Sequence, residues 1–305
     1  MASYTYPVAH PTGTLTTEQI HLLLSNQRVV AKRVAALVDQ KFIADFLLTG
    51  RFDAAGGGIF YATGEEIFAA DSPEAVAPGG EYPKTVLTAG EIAAAKTVKW
   101  GIETDITDEL IARQVISNVD KGLTRLGNTV IKHVDSVAMS VIGSKVVDTF
   151  ASAAAWTSVG NIITALLAAQ AARADLALGI NADTVALTGA QYANVMGLFL
   201  SAGVLPRENG NVLLTGTLPQ NILGFEWVTS PHIVGSNPLL VDRDQLGGMA
   251  DEHLGSPGYI NAGAFGVEAS TTRHKDDKYE VRARRVTVPV VTEPQAGVAI
   301  TGAFA

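Results

Sequence analysis

The chain has 305 residues, 47% of them hydrophobic and only 17% charged, with a net charge of −8 and no cysteine. The missing cysteines exclude disulfides, thiolate metal ligands and Cys nucleophiles. The acidic balance, shared by both halves, excludes the basic footprint that tight nucleic-acid binding requires. A charged fraction well below the roughly 25% usual for globular chains implies that much of the surface faces other subunits, with an Ala/Gly-rich or secreted enzyme as the competing explanation.

The opening MASYTYPVAHPTGT has neither the basic nor the apolar region of a signal peptide. No stretch approaches the ~18 uninterrupted apolar residues of a membrane span, so a soluble protein made in the cytoplasm is expected. Residues 1–25 read as an extended arm, because Pro7, Pro11 and Gly13 oppose helix. A helix is predicted over residues 17–46, where Ile20, Leu23, Leu24, Val34, Leu37 and Val38 recur at helical spacing. Its basic cluster Arg28, Lys32 and Arg33 reads as a solvated helix face. Gly56, Gly57 and Gly58 then precede a short apolar strand at 59–62. No helix with Lys-Ser/Thr follows them, so they read as a flexible turn, not a phosphate cradle.

Residues 63–104 place Pro73, Pro78, Gly79, Gly80 and Pro83 between short apolar or alternating runs. This predicts a long two-stranded excursion, projecting on the order of 50–60 Å at ~3.3 Å per residue. Such a ribbon is marginal alone and presents open edges, so a second copy is expected to cover it.

The longest helical pattern follows. Ile111, Val115, Val119, Leu123, Leu126, Val130, Val134, Val137 and Val141 form one apolar stripe, starting at Thr107 with an acidic first turn and ending near Gly143. It predicts a helix roughly 55 Å long lying across a sheet. Beyond a loop at 151–158 the pattern becomes α/β: helix 161–175, buried strand 183–188 and helix 190–202, then an Asn209-Gly210 turn. Strands are expected at 211–215, 224–229 and 238–241. Residues 278–291 alternate Tyr279, Val281 and Ala283 against Glu280, Arg282 and Arg284, which predicts a long strand with one wet face before a Pro294-containing tail.

Chemistry-bearing patterns are sparse. The six histidines have no metal-ligand spacing, and no nucleophile elbow, Walker loop or zinc-binding helix motif occurs. The acidic pairs Glu65/Glu66, Asp108/Glu109, Asp242/Asp244, Asp251/Glu252 and Asp276/Asp277 read as caps, turns or solvated edges. Asp242 and Asp244 would suit a hard cation only with a glycine-bearing ligand loop, which is missing. No catalytic residue, cofactor or metal is expected, and the chain reads as a non-enzyme.

The order of these segments, with four local strings, resembles the HK97-type major capsid proteins of tailed bacteriophages over nearly the whole chain. APGGEYPKTVLT (77–88) resembles the loop's turn and strand, and KWGIETDITDELI (99–111) its return into the spine helix. NILGFEWVTSPHI (221–233) with NPLLVDRDQLGGMADE (237–252) resembles two later strands, and KYEVRARRVTVPVV (278–291) the last platform strand. The resemblance implies an α+β HK97-like capsid fold with N-terminal arm, extended β-hairpin loop, long spine helix, P-domain sheet and α/β A-domain. The implied divisions are arm and first helix 1–55, extended loop with its base 56–104, spine helix 105–150, A-domain 151–269, and a C-terminal strand 270–305 returning to the P-domain.

The implied function is structural: pentamers and hexamers of an icosahedral head around double-stranded DNA, in the virion, after assembly in the host cytoplasm. Tyr4, Tyr6, Pro7, Glu65, Glu66, Phe68, Glu81, Tyr82, Pro83 and Lys84 are the expected inter-subunit contacts, and Gly56, Gly57 and Gly58 the hinge on which the loop swings during maturation. The implied partners are many copies of this chain, a portal and, in decorated relatives, a decoration protein. DNA is expected to be contacted weakly and non-specifically, and no membrane is expected. Met1 begins almost at the arm, without the built-in scaffolding extension of many relatives, so a separate scaffolding protein is expected. Some relatives crosslink a loop lysine to a distant Asn. Lys84, Lys96 and Lys99 are the loop lysines here, with no motif that carries that chemistry over. Two alternatives stay open: an encapsulin-type nanocompartment shell, which the Pro-rich arm disfavours, and a soluble α/β enzyme such as a hydrolase.

Overall fold

The computed structural model describes residues 16–38, 42–64, 75–76, 81–82, 84, 90–113, 117–202, 221–222, 224–261, 263 and 266–304. In chain order, α1 (Thr17–Ser25), α2 (Gln27–Val38) and α3 (Ile43–Leu47) precede β1 (Gly50–Asp53) and β2 (Gly58–Thr63). β3 (Glu91–Lys96), β4 (Val98–Thr107), α4 (Asp108–Arg113), α5 (Ser117–Lys145) and β5 (Thr149–Ala151) follow. Next come α6 (Val159–Ala174), β6 (Thr184–Leu187), α7 (Gly189–Ser201), β7 (Asn221–Ile222), β8 (Phe225–Thr229) and β9 (Leu239–Val241). The chain continues through β10 (Gly247–Asp251), β11 (Ile260–Asn261), β12 (Val267–Arg273), β13 (Lys278–Val291) and β14 (Gly297–Thr301).

The single helix expected over 17–46 is three. Thr16 and Gln19 form a reciprocal capping box at the start of α1. Asn26 ends α1 in extended backbone, and its side-chain oxygen accepts from the N–H groups of Arg28 and Val29, opening α2. The segment 17–25, where the expected arm and the expected helix overlap, is helical. The long stripe likewise gives two helices, α4 and α5. Leu123, Leu126, Val130 and Val134 bury as the pattern requires. Further along, the buried side moves to Ala138, Met139 and Ile142, leaving Val137 and Val141 half-buried, because a 3.6-residue period drifts against a fixed spacing.

β13 organises the first sheet. It pairs antiparallel with β4 over ten residues on one side, and with β12 and then β10 on the other; β10 pairs parallel with β1. Both edges of β13 are thus covered, and the expected wet face is largely buried: Glu280 and Arg284 are each 7% exposed, while Arg285, on the opposite face with Val281 and Ala283, is fully buried. Helices α2 and α5 lie on one face of this sheet. Val30, Val34, Leu123 and Ile131 pack there against Ala269, Val281 and Ala283. The β1/β10 crossing needs glycine: a Cβ on Gly248 would sit 2.2 Å from the Gly50 carbonyl oxygen, and one on Gly247, at φ +151°, 2.1 Å from that of Val290.

The second sheet runs β5-β14-β9-β6-β8-β7. Around it Trp156, Ile162, Leu166, Val195, Phe199 and Trp227 form a separate apolar core. β6 is buried along its whole length, as its apolar run predicts. The tail after Pro294 corrects the expectation for 270–305. β14 does not return to the first sheet but inserts between β5 and β9 of the second. Asn209-Gly210 and the strand expected at 211–215 lie outside the described residues.

Candidate functional site

The expected excursion is present at its root as the antiparallel ribbon β2–β3, paired from Gly58↔Lys96 to Thr63↔Glu91. The return strand is shorter than expected. Thr97 is buried, and residues 98–104 belong to β4 in the first sheet. The break has a visible cause in the Glu252 carboxylate, which accepts the Gly57 N–H (3.0 Å) on Oε1 and the Thr97 hydroxyl (2.6 Å) on Oε2. The Thr97 N–H donates to the Gly57 carbonyl at 3.0 Å. One half-buried acid therefore pins both strands where they leave the body. Asp251/Glu252, expected as a cap, turn or solvated edge, instead supplies this anchor and an ion pair.

Period-2 alternation gives the ribbon two unlike faces. Ile59, Tyr61 and Ala95 turn inward and pack beside Ala54, Ala250 and Val290. Phe60, Ala62, Ile92 and Ala94 turn outward, with Phe60 80% and Ile92 75% exposed. Lys96, exposed on the same face opposite Gly58, closes that set at the base. Gly56 (φ +65°) and Gly57 (φ +89°) make the turn at the base in the left-handed region, with open space where a Cβ would stand, whereas Gly58 is extended and a Cβ there would meet the Ala95 carbonyl at 2.9 Å. Of the expected contact residues, Glu81, Tyr82 and Lys84 are exposed; Tyr4, Tyr6, Pro7, Glu65, Glu66, Phe68 and Pro83 lie outside the described residues.

Beneath the ribbon's root lies a buried ionic node that sequence reading missed. Arg285 donates to Asp45 Oδ2 (2.5 Å) and Oδ1 (2.8 Å), and to Asp251 Oδ1 (2.9 Å) and Oδ2 (3.0 Å). Arg51 also pairs with Asp45. Burial acts to lower the Arg285 pKa, but the Asp45 charge and the hydrogen bonds from Asp45 and Asp251 outweigh it and raise it. Asp135, on α5 and 2% exposed, accepts the backbone N–H of Ala44 at 3.0 Å and of Ile43 at 3.4 Å, capping α3. Burial pushes its carboxyl up to about 7. Those two N–H groups oppose the rise, Asp45 adds to it and Arg285 opposes it. The only sequence signal for the node was an arginine inside an alternating strand.

The opposite end of the platform is tied by Arg273, which grips both oxygens of Asp108 (2.5 and 2.6 Å) at the start of α4. Arg273's hydrogen bonds hold that carboxyl below its ordinary value. Asp242 accepts from Asp244 N (3.0 Å) and Asn181 N (2.7 Å), the work of a cap. Among the described residues no group of three or more His, Cys, Asp or Glu is placed to hold a metal, and no helix is long and apolar enough to cross a membrane.

The family described as phage capsid protein matches residues 90–300, more than half of the chain. No curated protein matches significantly. Among solved structures, the chain is similar to the capsid of the cyanophage P-SCSP1u (TM-score 0.58, 13% identity, 85% of this chain and 87% of that one covered). It is also similar to a virus-like particle from Pyrococcus furiosus (0.57, 10%, 89% and 97%). A phage-related protein from Bordetella bronchiseptica RB50 matches at 0.54 and 14% identity, over 90% and 96%. At these identities the structures speak for the fold, which is the HK97-like α+β capsid fold, and the family match speaks for the role. The chain belongs to the phage capsid protein family, as a structural major capsid protein of the HK97 type.

Proposed function

We propose that copies of this chain close into the pentamers and hexamers of an icosahedral phage head around double-stranded DNA, and that the chain acts through interfaces, without catalysing a reaction. The observation that carries this reading is the ribbon root. Its inner face is already packed on its own subunit, yet its outer face presents Phe60, Ala62, Ile92 and Ala94 to solvent. Contiguous exposed apolar surface of this kind marks an interaction site, and interfaces between permanent partners commonly bury about 2,000 Å² or more. The N-terminal arm with Tyr4, Tyr6 and Pro7, and the loop with Glu65, Glu66, Phe68 and Glu81 to Lys84, would extend that contact across neighbouring subunits. Gly56 and Gly57 would serve as the hinge when a precursor shell matures, with Glu252 as the latch on its root. A portal, a separate scaffolding protein and a decoration protein complete the proposed partners, with assembly in the host cytoplasm.

The test is negative-stain microscopy of wild-type protein beside Phe60→Asp/Ile92→Asp. Both side chains are exposed in the subunit, so the variant should keep the wild-type circular dichroism and thermal midpoint while failing to form shells. Wild-type protein that stays single at high concentration, or a variant that closes normal shells, would refute the reading. Co-purification of a cargo enzyme in place of DNA would move the assignment to a nanocompartment shell.

A further inference from the structure

We infer that the helix-covered face of the first sheet is the surface that meets duplex DNA; this rests on the coat-subunit reading and adds to it the face that looks inward. The two faces of that sheet handle charge differently. On the bare face the cations of β13 are matched by acids: Lys278 with Asp105 (2.7 Å), Arg282 with Glu103 (3.1 Å) and with Glu280, and Arg284 with Glu268 (2.7 Å). On the helix-covered face, α2 exposes Arg28 and Lys32, and α5 exposes Arg125 and Lys132 beside half-buried Lys121. Among the described residues no carboxylate pairs with any of these five. α2 contains no acid, and the one acid of α5 over residues 121–145, Asp135, is turned into the core. Glu103 and Asp105 do line the groove beside Lys121 and Arg125, but Arg282 and Lys278 already hold them.

Lys121, Arg125 and Lys132 stand at i, i+4 and i+11, which places them within about 40° of one another around the helix, in a stripe about 16 Å long. The other exposed positions among and after them are Thr129, His133, Ser136, Ser140, Gly143, Ser144 and a further cation, Lys145. Among the described residues no large apolar side chain of α5 is exposed, and on α2 Val29 alone is, at 42%. A protein partner would require buried aromatic or aliphatic anchors; a phosphate backbone requires only spaced cations and small hydrogen-bonding groups. A duplex presents one charge per about 1.7 Å, so a stripe of this length meets more phosphates than it can neutralise, and the DNA is free to shift along it. The chain's net charge of −8 keeps the contact weak, as packing and release both require.

The experiment follows a 20-base-pair duplex by fluorescence anisotropy against unassembled subunits across a salt series, for wild type and for Arg28→Gln/Lys32→Gln/Arg125→Gln/Lys132→Gln. Lys99→Gln/Lys275→Gln, on the bare face and at the β12–β13 turn, is the control. Wild type should bind weakly, with log affinity falling about 0.9 per neutralised phosphate for each tenfold rise in salt. The quadruple variant should lose about three of those contacts and more than tenfold in affinity at low salt, and the control should lose neither. An unchanged slope in the quadruple variant, or an equal loss in the control, overturns the inference. So does wild type without salt-dependent binding whose quadruple variant alone fails to close shells, an outcome that assigns the face to an acidic protein. Because binding is read on subunits and shell closure separately by microscopy, loss of the DNA face leaves normal shells, whereas failure of the coat-subunit reading shows as wild type that never forms them.

Discussion

Asp135 gives the sharpest test of the packing described for the platform. Its carboxyl is held at about 7 in the folded chain against 3.8 as an unperturbed side chain. At about 1.4 kcal/mol for each tenfold change in proton affinity, that difference corresponds to about 4 kcal/mol. The sign follows from proton counting: between pH 4 and 7 the folded chain holds a proton on Asp135 that the unfolded chain has released. This contribution to stability is therefore complete below about pH 4 and is lost as pH rises through about 7. Asp135→Asn keeps an acceptor for the Ala44 N–H, gives up the longer bond from Ile43, and no longer titrates. Urea unfolding of unassembled subunits, wild type and variant, at half-unit steps from pH 4.5 to 8 should show the variant gaining on wild type by about 3–4 kcal/mol across the range. The charged groups acting on Asp135, Asp45 and Arg285, and their own partners Arg51 and Asp251, are common to both proteins and cancel in the difference. Two curves that stay parallel from pH 4.5 to 8 would show that Asp135 is not held protonated by its surroundings.

Arg285→Met removes the cation shared by Asp45 and Asp251, leaving Asp251 without its cation and Asp45 with Arg51 alone, which should cost roughly 3–5 kcal/mol of subunit stability; a urea-unfolding loss below about 1 kcal/mol would mean the node is more hydrated than its geometry implies. Gly57→Val forces a β-branched residue into φ +89° at a cost of about 1–3 kcal/mol and moves the N–H that Glu252 holds. Capsomers should still form and precursor shells should fail to mature in this variant, so normal mature heads seen by microscopy would sink the hinge proposal.

What the sequence carries most clearly is periodicity backed by length. Lys278–Val291 is a strand with the bounds expected, and α6, β6, α7, β8 and β9 fall within a few residues of their predicted places. Period-2 alternation, however, reports only that one face is apolar. It cannot say that Arg284 and Arg285 are also buried, because their partners Glu268, Asp251 and Asp45 sit 16, 34 and 240 residues away. The strand β10 was hidden for a related reason: Gly247 and Gly248 look like a turn, and only the close approach of Gly50 and Val290 makes them sheet. The ribbon root was legible as an excursion. Its end at Thr97 was not, since that depends on a carboxylate at Glu252. The basic residues of α2 read as a solvated face in the sequence, because nothing there places α5 beside them with Asp135, its one acid over residues 121–145, turned inward.

Both sheets receive an interior strand from the final part of the sequence, β13 between β4 and β12 in one, β14 between β5 and β9 in the other. During synthesis, at about 5–20 residues per second, everything up to Lys278 emerges while each sheet is still in halves with no strand to join them. The first sheet gains its joining strand only when translation has passed Val291, and the second only when it has passed Thr301. A chain cut short before β13 leaves β4 and β12 without the neighbour they share, and one cut short before β14 leaves β5 and β9 apart.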